Sequence, residues 1–262
     1  MREYLTVTEN PGCGAHSEQI ERLFQRYRFA LDYCRDKEIL EVACGGGMGL
    51  GYLAKFAKRV VGGDIDESNL KFAREHYNGR GNIELKTLDA QQLPFNDSNF
   101  DVVIMYEAIY YLPQPMKFVE EAHRVLRDKG VIIICTANKE WSGFNPSPHS
   151  CKYFSTQELA FLLEKGGFAV KMFAGSPVTA ETAKDKVISI IKQSAVKLHL
   201  IPKTMKGKEI LKRLFFGKLK PIPSEVSDGM SDYVPPLSIP SKVPNGGYKV
   251  IYAVGQIRKL CN

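Results

Sequence analysis

Two groups of residues in this 262-residue chain have the types and spacing to hold a nucleoside-containing ligand. The first is Glu41-Val42-Ala43-Cys44-Gly45-Gly46-Gly47, an apolar run that ends in a glycine-rich turn. Between a strand and a helix, such a turn brings backbone N–H groups and a helix N-terminus to the carboxyl edge of a parallel sheet, where ligands sit. Small residues at Ala43, Gly45 and Gly47 let a ligand lie directly against the main chain. A tight strand-to-helix turn without a ligand would use the same residues. The second group centres on Asp64, nineteen residues after Gly45. A carboxylate at that point can accept both hydroxyls of a ribose. Asp66 or Ser68 is better placed to cap the helix that follows, which leaves Asp64 for a ligand. The dinucleotide template Gly-x-Gly-x-x-Gly fails at Gly45 and Gly47, because position 50 is Leu. NAD is therefore disfavoured.

The elements that must position these residues follow from the hydrophobic period. Short apolar runs alternate with helical patterns from residue 38 to about 170, the signature of a parallel α/β sheet. Strands are predicted over residues 38–43, 59–64, 83–87, 100–106, 131–136, 168–173 and 248–256. Helices are predicted through Leu50, Leu53, Ala54 and Ala57, and over residues 70–77, 118–126 and 156–165. Ser155 is placed to cap the last of these, and Gly166-Gly167 to close it. The turn Asp128-Lys129-Gly130 leads into the fifth strand. Roughly 70 residues separate the sixth and seventh strands, well beyond ordinary loop length. Within that insertion, residues 183–201 and 206–216 are amphipathic helical patterns, and residues 221–244 are a Pro- and Ser-rich loop. The expected organisation is an N-terminal helical cap (1–37), an α/β core (38–175), a basic helical and loop insertion acting as a substrate lid (176–246) and a final core strand (247–262).

Composition bounds the function class. At 44% hydrophobic and 25% charged residues, disordered, collagen-like and coiled-coil chains are excluded. No apolar run approaches bilayer length. The first ten residues lack the apolar core of a secretory signal. Six cysteines without a Cys-x-x-Cys pair suit neither a disulfide framework nor a metal site and fit a reducing cytoplasm. The net charge of +7 is local: residues 184–220 hold eleven Lys or Arg against Asp185 and Glu209. Nucleic acid is an unlikely partner, because aromatic residues do not interleave with those basic ones. A solvated face, an anion-attracting lid and a contact with an anionic membrane surface all stay open for that run.

Five blocks in order resemble the class I S-adenosylmethionine-dependent methyltransferases. They are Glu41-x-Ala43-x-Gly45-x-Gly47; Val61-Gly62-Gly63-Asp64-Ile65; Asp89-Ala90-Gln91-Gln92-Leu93-Pro94-Phe95; Phe100-Asp101-Val102-Val103; and the run from Arg124 through Gly130 to Val131. Arg26-Tyr27-Arg28-Phe29-Ala30 and Phe144-Asn145-Pro146-Ser147-Pro148-His149 look like the small-molecule and sugar-modifying branch. The resemblance implies a Rossmann-like, doubly wound, seven-stranded and mostly parallel sheet with an antiparallel last strand. It implies S-adenosylmethionine as cofactor and S-adenosylhomocysteine as product. Gly45 and its neighbours Ala43, Cys44 and Gly47 would hold the methionine moiety, with Glu41 organising the loop. Asp64 would take the ribose hydroxyls, Ile65 one adenine face, and Asp89 and Ala90 the adenine edge. Tyr106 and Glu107 would border the methyl donor. The chain departs from the family pattern in two places. Ala43 stands where glycine is usual, and Tyr110-Tyr111 stand where many relatives carry an acidic residue and a His.

A hydroxyl acceptor must lose its proton as the new bond forms. His149, in a loop after the fifth strand, is the first candidate base; Glu107, Tyr110 and Tyr111 are the others. Unperturbed phenols near pKa 10 suit pocket walls better than bases. Trp141, the single tryptophan, either stacks on a ring or fills the core. The expected function is methyl transfer to a small-molecule or glycan-type acceptor, at oxygen. Its rivals are a cofactor-binding module without turnover and a protein methyltransferase or membrane-associated partner acting through the basic insertion.

Overall fold

A computed structural model describes residue 8 and residues 10–147, 149–178 and 219–258. Ten strands and five α-helices occur among these residues. In chain order they are β1 (Gly14–Ala15), α1 (Ser17–Cys34), β2 (Glu38–Val42), α2 (Leu50–Ala54), β3 (Arg59–Asp64), α3 (Glu67–His76), β4 (Ile83–Thr87) and β5 (Phe100–Tyr106). A 3₁₀ turn over Ile109–Tyr111 follows, then α4 (Pro115–Val125), β6 (Leu126–Ala137), α5 (Thr156–Lys165), β7 (Phe168–Pro177), β8 (Lys220–Pro221), β9 (Leu237–Ile239) and β10 (Tyr248–Ile257).

The main sheet has eight strands in the order β4-β3-β2-β5-β6-β10-β7-β9. β2 pairs in parallel with β3 and β5, and β5 with β6, so their carboxyl ends share one edge. β10 enters antiparallel between β6 and β7. Central strands of such a sheet are covered on both faces and read as continuous apolar runs. In β2, Ile39 packs on the α1 and α2 side while its neighbour Leu40 packs on the α4 and α5 side. Local chemistry fixes the helix starts. Pro115 opens α4, and a capping box opens α5, where the Ser155 N–H donates to Glu158 Oε2 (2.8 Å) and the Glu158 N–H donates to Ser155 Oγ (3.2 Å).

The structure corrects the sequence expectations in several places. The sheet has eight strands rather than seven, because Leu237–Ile239 adds an antiparallel edge to β7. That strand arises inside the segment expected to be a loop. α2 stops at Ala54 rather than Ala57, since the chain must turn into β3 at Arg59. β6 begins at Leu126, so the expected turn at 128–130 lies within the strand as an irregularity. The register shifts between Phe100 and Val102, and Lys129 takes a left-handed φ of 61°. The loop over residues 220–234, expected as ordered or semi-mobile, is ordered and packed. Ile222 and Val226 are buried, the Val226 N–H donates to the Met48 carbonyl (2.7 Å), and Tyr52 donates to Asp228 (2.7 Å). Glu225 pairs there with Arg80 (2.6 Å) and His76 (3.0 Å). The two expected basic helices, residues 183–201 and 206–216, lie outside the described residues. No helix among the described residues is long and apolar enough to cross a membrane.

Candidate active site

The carboxyl ends of β2, β3, β5 and β6 open into a cavity of about 510 Å³, with α1 forming the opposite wall. This is within the range of ordinary small-molecule sites. At the end of β2 the chain enters the turn with Ala43 at φ 57°, Gly45 at 56° and Gly47 at 74°. The left-handed region costs a residue bearing a Cβ about 1–2 kcal/mol, so Ala43 is held there by its surroundings. Ala43→Gly is expected to stabilise the fold by about 0.5–1 kcal/mol after the extra freedom of the unfolded glycine is subtracted. A thermal melt checks this, with a rise of about 1–2 °C expected. Gly49 serves a different need: a Cβ there would fall 1.8 Å from the Tyr27 ring. That close approach lets α1 lay Tyr27 over the loop.

Asp64 ties the turn together. Its Oδ2 accepts from the Gly45 N–H (2.9 Å), and its Oδ1 from the Asp66 N–H (2.9 Å) and Asn69 Nδ2 (3.4 Å). Burial pushes this carboxyl above its ordinary range, against the pull of those donors. Asp66 caps α3 through the Ser68 N–H, as its spacing predicts. Asp89 Oδ1 accepts from the Gln91 N–H (2.8 Å), which turns Ala90 toward the cavity.

Glu41 lies beneath the turn, 2% exposed. Tyr27 donates to its Oε1 (2.6 Å), while Oε2 is buried with no hydrogen-bond partner among the described residues. Burial raises this carboxyl to about 7, opposed by the Tyr27 hydrogen bond and by Arg26. The folded protein therefore holds a proton that the unfolded chain releases near pH 4.5. Stability from this group is full below about 4.5 and is lost as pH rises through about 7. Glu41→Gln is expected to remove a slope of up to about 1.4 kcal/mol per pH unit in that window. Denaturant unfolding at pH 5, 6, 7 and 8 checks it; parallel curves for the two proteins would contradict the assignment.

At the far end, Glu107 leaves β5 with φ 50°, a left-handed conformation costly for a side chain of this size. Its N–H is held by the Cys135 carbonyl (2.8 Å). Its Oε2 accepts from the Ala137 N–H (3.2 Å) and the Tyr110 hydroxyl (3.4 Å), and its Oε1 lies 3.6 Å from Arg26. Tyr110 stacks on Tyr153 at 4.3 Å, and burial raises its phenol well above 10. Tyr111 bonds Ser147 Oγ (2.8 Å). Tyr106 closes the middle, edge-on to Tyr27 at 5.4 Å and donating to the Arg26 carbonyl.

The cavity brings together Glu41, Ala43, Cys44, Gly45, Asp64, Ile65, Asp89, Ala90, Tyr106, Glu107, Tyr110 and Tyr111. It leaves out three of the residues singled out in the sequence. Gly47 is turned away: its carbonyl takes the Tyr77 hydroxyl (2.7 Å), and a Cβ would meet Ala73 at 2.7 Å. His149 is exposed and is not among the described residues that line the cavity, which the loop after β6 reaches at Ser147. Trp141 neither fills the core nor lines the cavity, but lies half-buried beneath Lys249. Sequence reasoning missed Gln19, Arg22, Leu23 and Arg26, which line the cavity from α1. Their i, i+3, i+4, i+7 spacing marks one helical face, and that was the signal available.

Residues 40–134 match a family model described as a methyltransferase domain. A "probable S-adenosylmethionine-dependent methyltransferase" of Mycolicibacterium smegmatis is 30% identical over 167 residues, 62% of this chain and 63% of that protein. The fatty-acid O-methyltransferase of the same organism is 36% identical over 107 residues, 40% of this chain and 39% of that one. The chain thus spans less than two thirds of the length of these relatives. The solved YcgJ protein of Bacillus subtilis shares the fold, with a TM-score of 0.59 at 15% identity over 93% of this chain and all of that one. Over residues 40–134 the chain is similar to a methyltransferase domain, and the Mycolicibacterium smegmatis relative is named for S-adenosylmethionine as its cofactor.

The residues present fit that cofactor. Glu41 Oε2 is a buried acceptor without a partner, suited to a cationic group. Gly45 brings the main chain to the cavity wall, and Asp64 Oδ2 has one donor and room for another.

Proposed function

We propose that the protein transfers a methyl group from S-adenosylmethionine to a hydroxyl of a small-molecule or glycan-type acceptor. The observation that supports this best is Glu107: a carboxylate held in a strained backbone at the end of the cavity opposite Asp89, oriented by Ala137 and Tyr110. The turn at 43–47, Glu41, Asp64, Asp89 and Ala90 would hold the cofactor, which supplies an already electrophilic methyl group on a sulfonium. The protein then has to orient the acceptor, exclude water and remove a proton. Glu107 is placed to accept the hydroxyl proton at its carboxylate. Tyr110 is not a base, because burial keeps its phenol protonated; it fixes the Glu107 rotamer and forms the wall. Tyr110-Tyr111 replace the family's usual acid and His, yet a carboxylate remains one turn earlier. That favours turnover over a binding module.

The test is transfer itself. The protein is incubated with S-adenosylmethionine and a panel of phenols, sugars and carboxylic acids, reading S-adenosylhomocysteine release and the methylated product together. Transfer to an oxygen of one panel class is expected. Tight cofactor binding with no product from any class would favour the binding module.

A further inference from the structure

We propose that the acceptor carries an acidic group, a carboxylate or phosphate monoester, and that Arg22 receives it. This rests on the methyltransferase reading above. Two guanidinium groups, Arg22 and Arg26, project one turn apart from the same face of α1 into the cavity. S-adenosylmethionine brings only one carboxylate, so one of them is surplus to the cofactor. Arg26 is already engaged: its guanidinium lies 3.6 Å from Glu107 Oε1, and its carbonyl takes the Tyr106 hydroxyl. Arg22 lies a turn further out.

Arg22 is also held in a way that allows release. Its Nη2 pairs with Glu18 Oε1 at 2.8 Å, and Glu18 does not line the cavity. That same oxygen of Glu18 takes Lys249 Nζ, also at 2.8 Å, so Glu18 stays paired when Arg22 turns to a ligand. Arg22 Nε is buried and has no hydrogen-bond partner among the described residues; it shares one edge of the planar fork with Nη2, so that edge is complete for an anion once Nη2 turns from Glu18. Forks of this kind bind carboxylates and phosphates through two parallel hydrogen bonds. With the acidic group seated on Arg22, the acceptor's hydroxyl would be directed toward Glu107.

The experiment uses the whole protein saturated with S-adenosylhomocysteine, titrated with inorganic phosphate and, separately, with acetate. Arg22 Nε–H is followed by NMR and affinity by calorimetry. One or both anions are expected to bind at millimolar concentration and shift the Arg22 resonance. Phosphate alone points to a phosphorylated acceptor and acetate alone to a carboxylic one. Arg22→Met should weaken anion binding at least fivefold with S-adenosylhomocysteine affinity held within twofold. Arg22→Lys, which keeps the charge and loses the fork, should fall between, and its melting point guards against misfolding. The proposal is overturned if neither anion shifts Arg22, or if Arg22→Met weakens S-adenosylhomocysteine tenfold, which would give Arg22 to the cofactor's carboxylate. Failure of the wild type to bind S-adenosylhomocysteine would instead strike the methyltransferase reading.

Discussion

Asp64→Ala is expected to weaken S-adenosylhomocysteine binding by more than about a hundredfold. A charge-assisted hydrogen bond to a ligand is worth about 1.5–3 kcal/mol, roughly ten- to a hundredfold in affinity. Here the loss is compounded, because the same carboxylate holds the Gly45 and Asp66 N–H groups at 2.9 Å. Removing it leaves both donors without their acceptor and frees the turn that carries the ligand. Asp64→Asn should fall between, since its one side-chain oxygen can serve Gly45 or Asp66 but not both. Calorimetry on the three proteins orders them. An alanine variant that binds as well as the wild type would show that Asp64 acts only within the turn.

Glu107→Gln should reduce the turnover rate by about 10²- to 10⁴-fold, the range for loss of a positioned general base. Glutamine can keep the bond from the Ala137 N–H, so the strained backbone and the cavity shape should survive. Cofactor affinity is expected to change less than threefold, because Glu107 lies beyond the turn at 43–47 and the Asp64 network. Single-turnover rates with an accepted substrate, measured across pH, separate the two effects. A variant that keeps full turnover would move the base elsewhere or show that the acceptor arrives already ionised.

Much of the frame was legible in the sequence because it is locally encoded. β3, β4, β5 and α5 have the limits that hydrophobic period and capping residues predict. The end proposed for the cofactor draws on residues placed for a related reason: Glu41, Asp64 and Asp89 sit at or within two residues of strand ends, where the topology leaves little choice of position. The acceptor end was less legible. Arg22 and Arg26 lie on a helix that precedes the sheet, and only tertiary packing brings Arg26 to within 3.6 Å of Glu107, eighty-one residues later. His149 has the right chemistry in the right loop, but that loop meets the cavity at Ser147 and carries His149 into solvent. β9 was hidden because three residues among prolines and serines show no usable period; it exists because β7 offers Met172–Ala174 as an edge to pair with.

The central claim is that the cavity at the end of β2 and β3 binds S-adenosylmethionine. A calorimetric titration of the wild-type protein with S-adenosylmethionine and S-adenosylhomocysteine tests it most directly. The account predicts saturable, one-to-one binding of both at micromolar affinity, lost on Asp64→Ala. No heat from either ligand at millimolar concentration, with a folded protein in the cell, would contradict it.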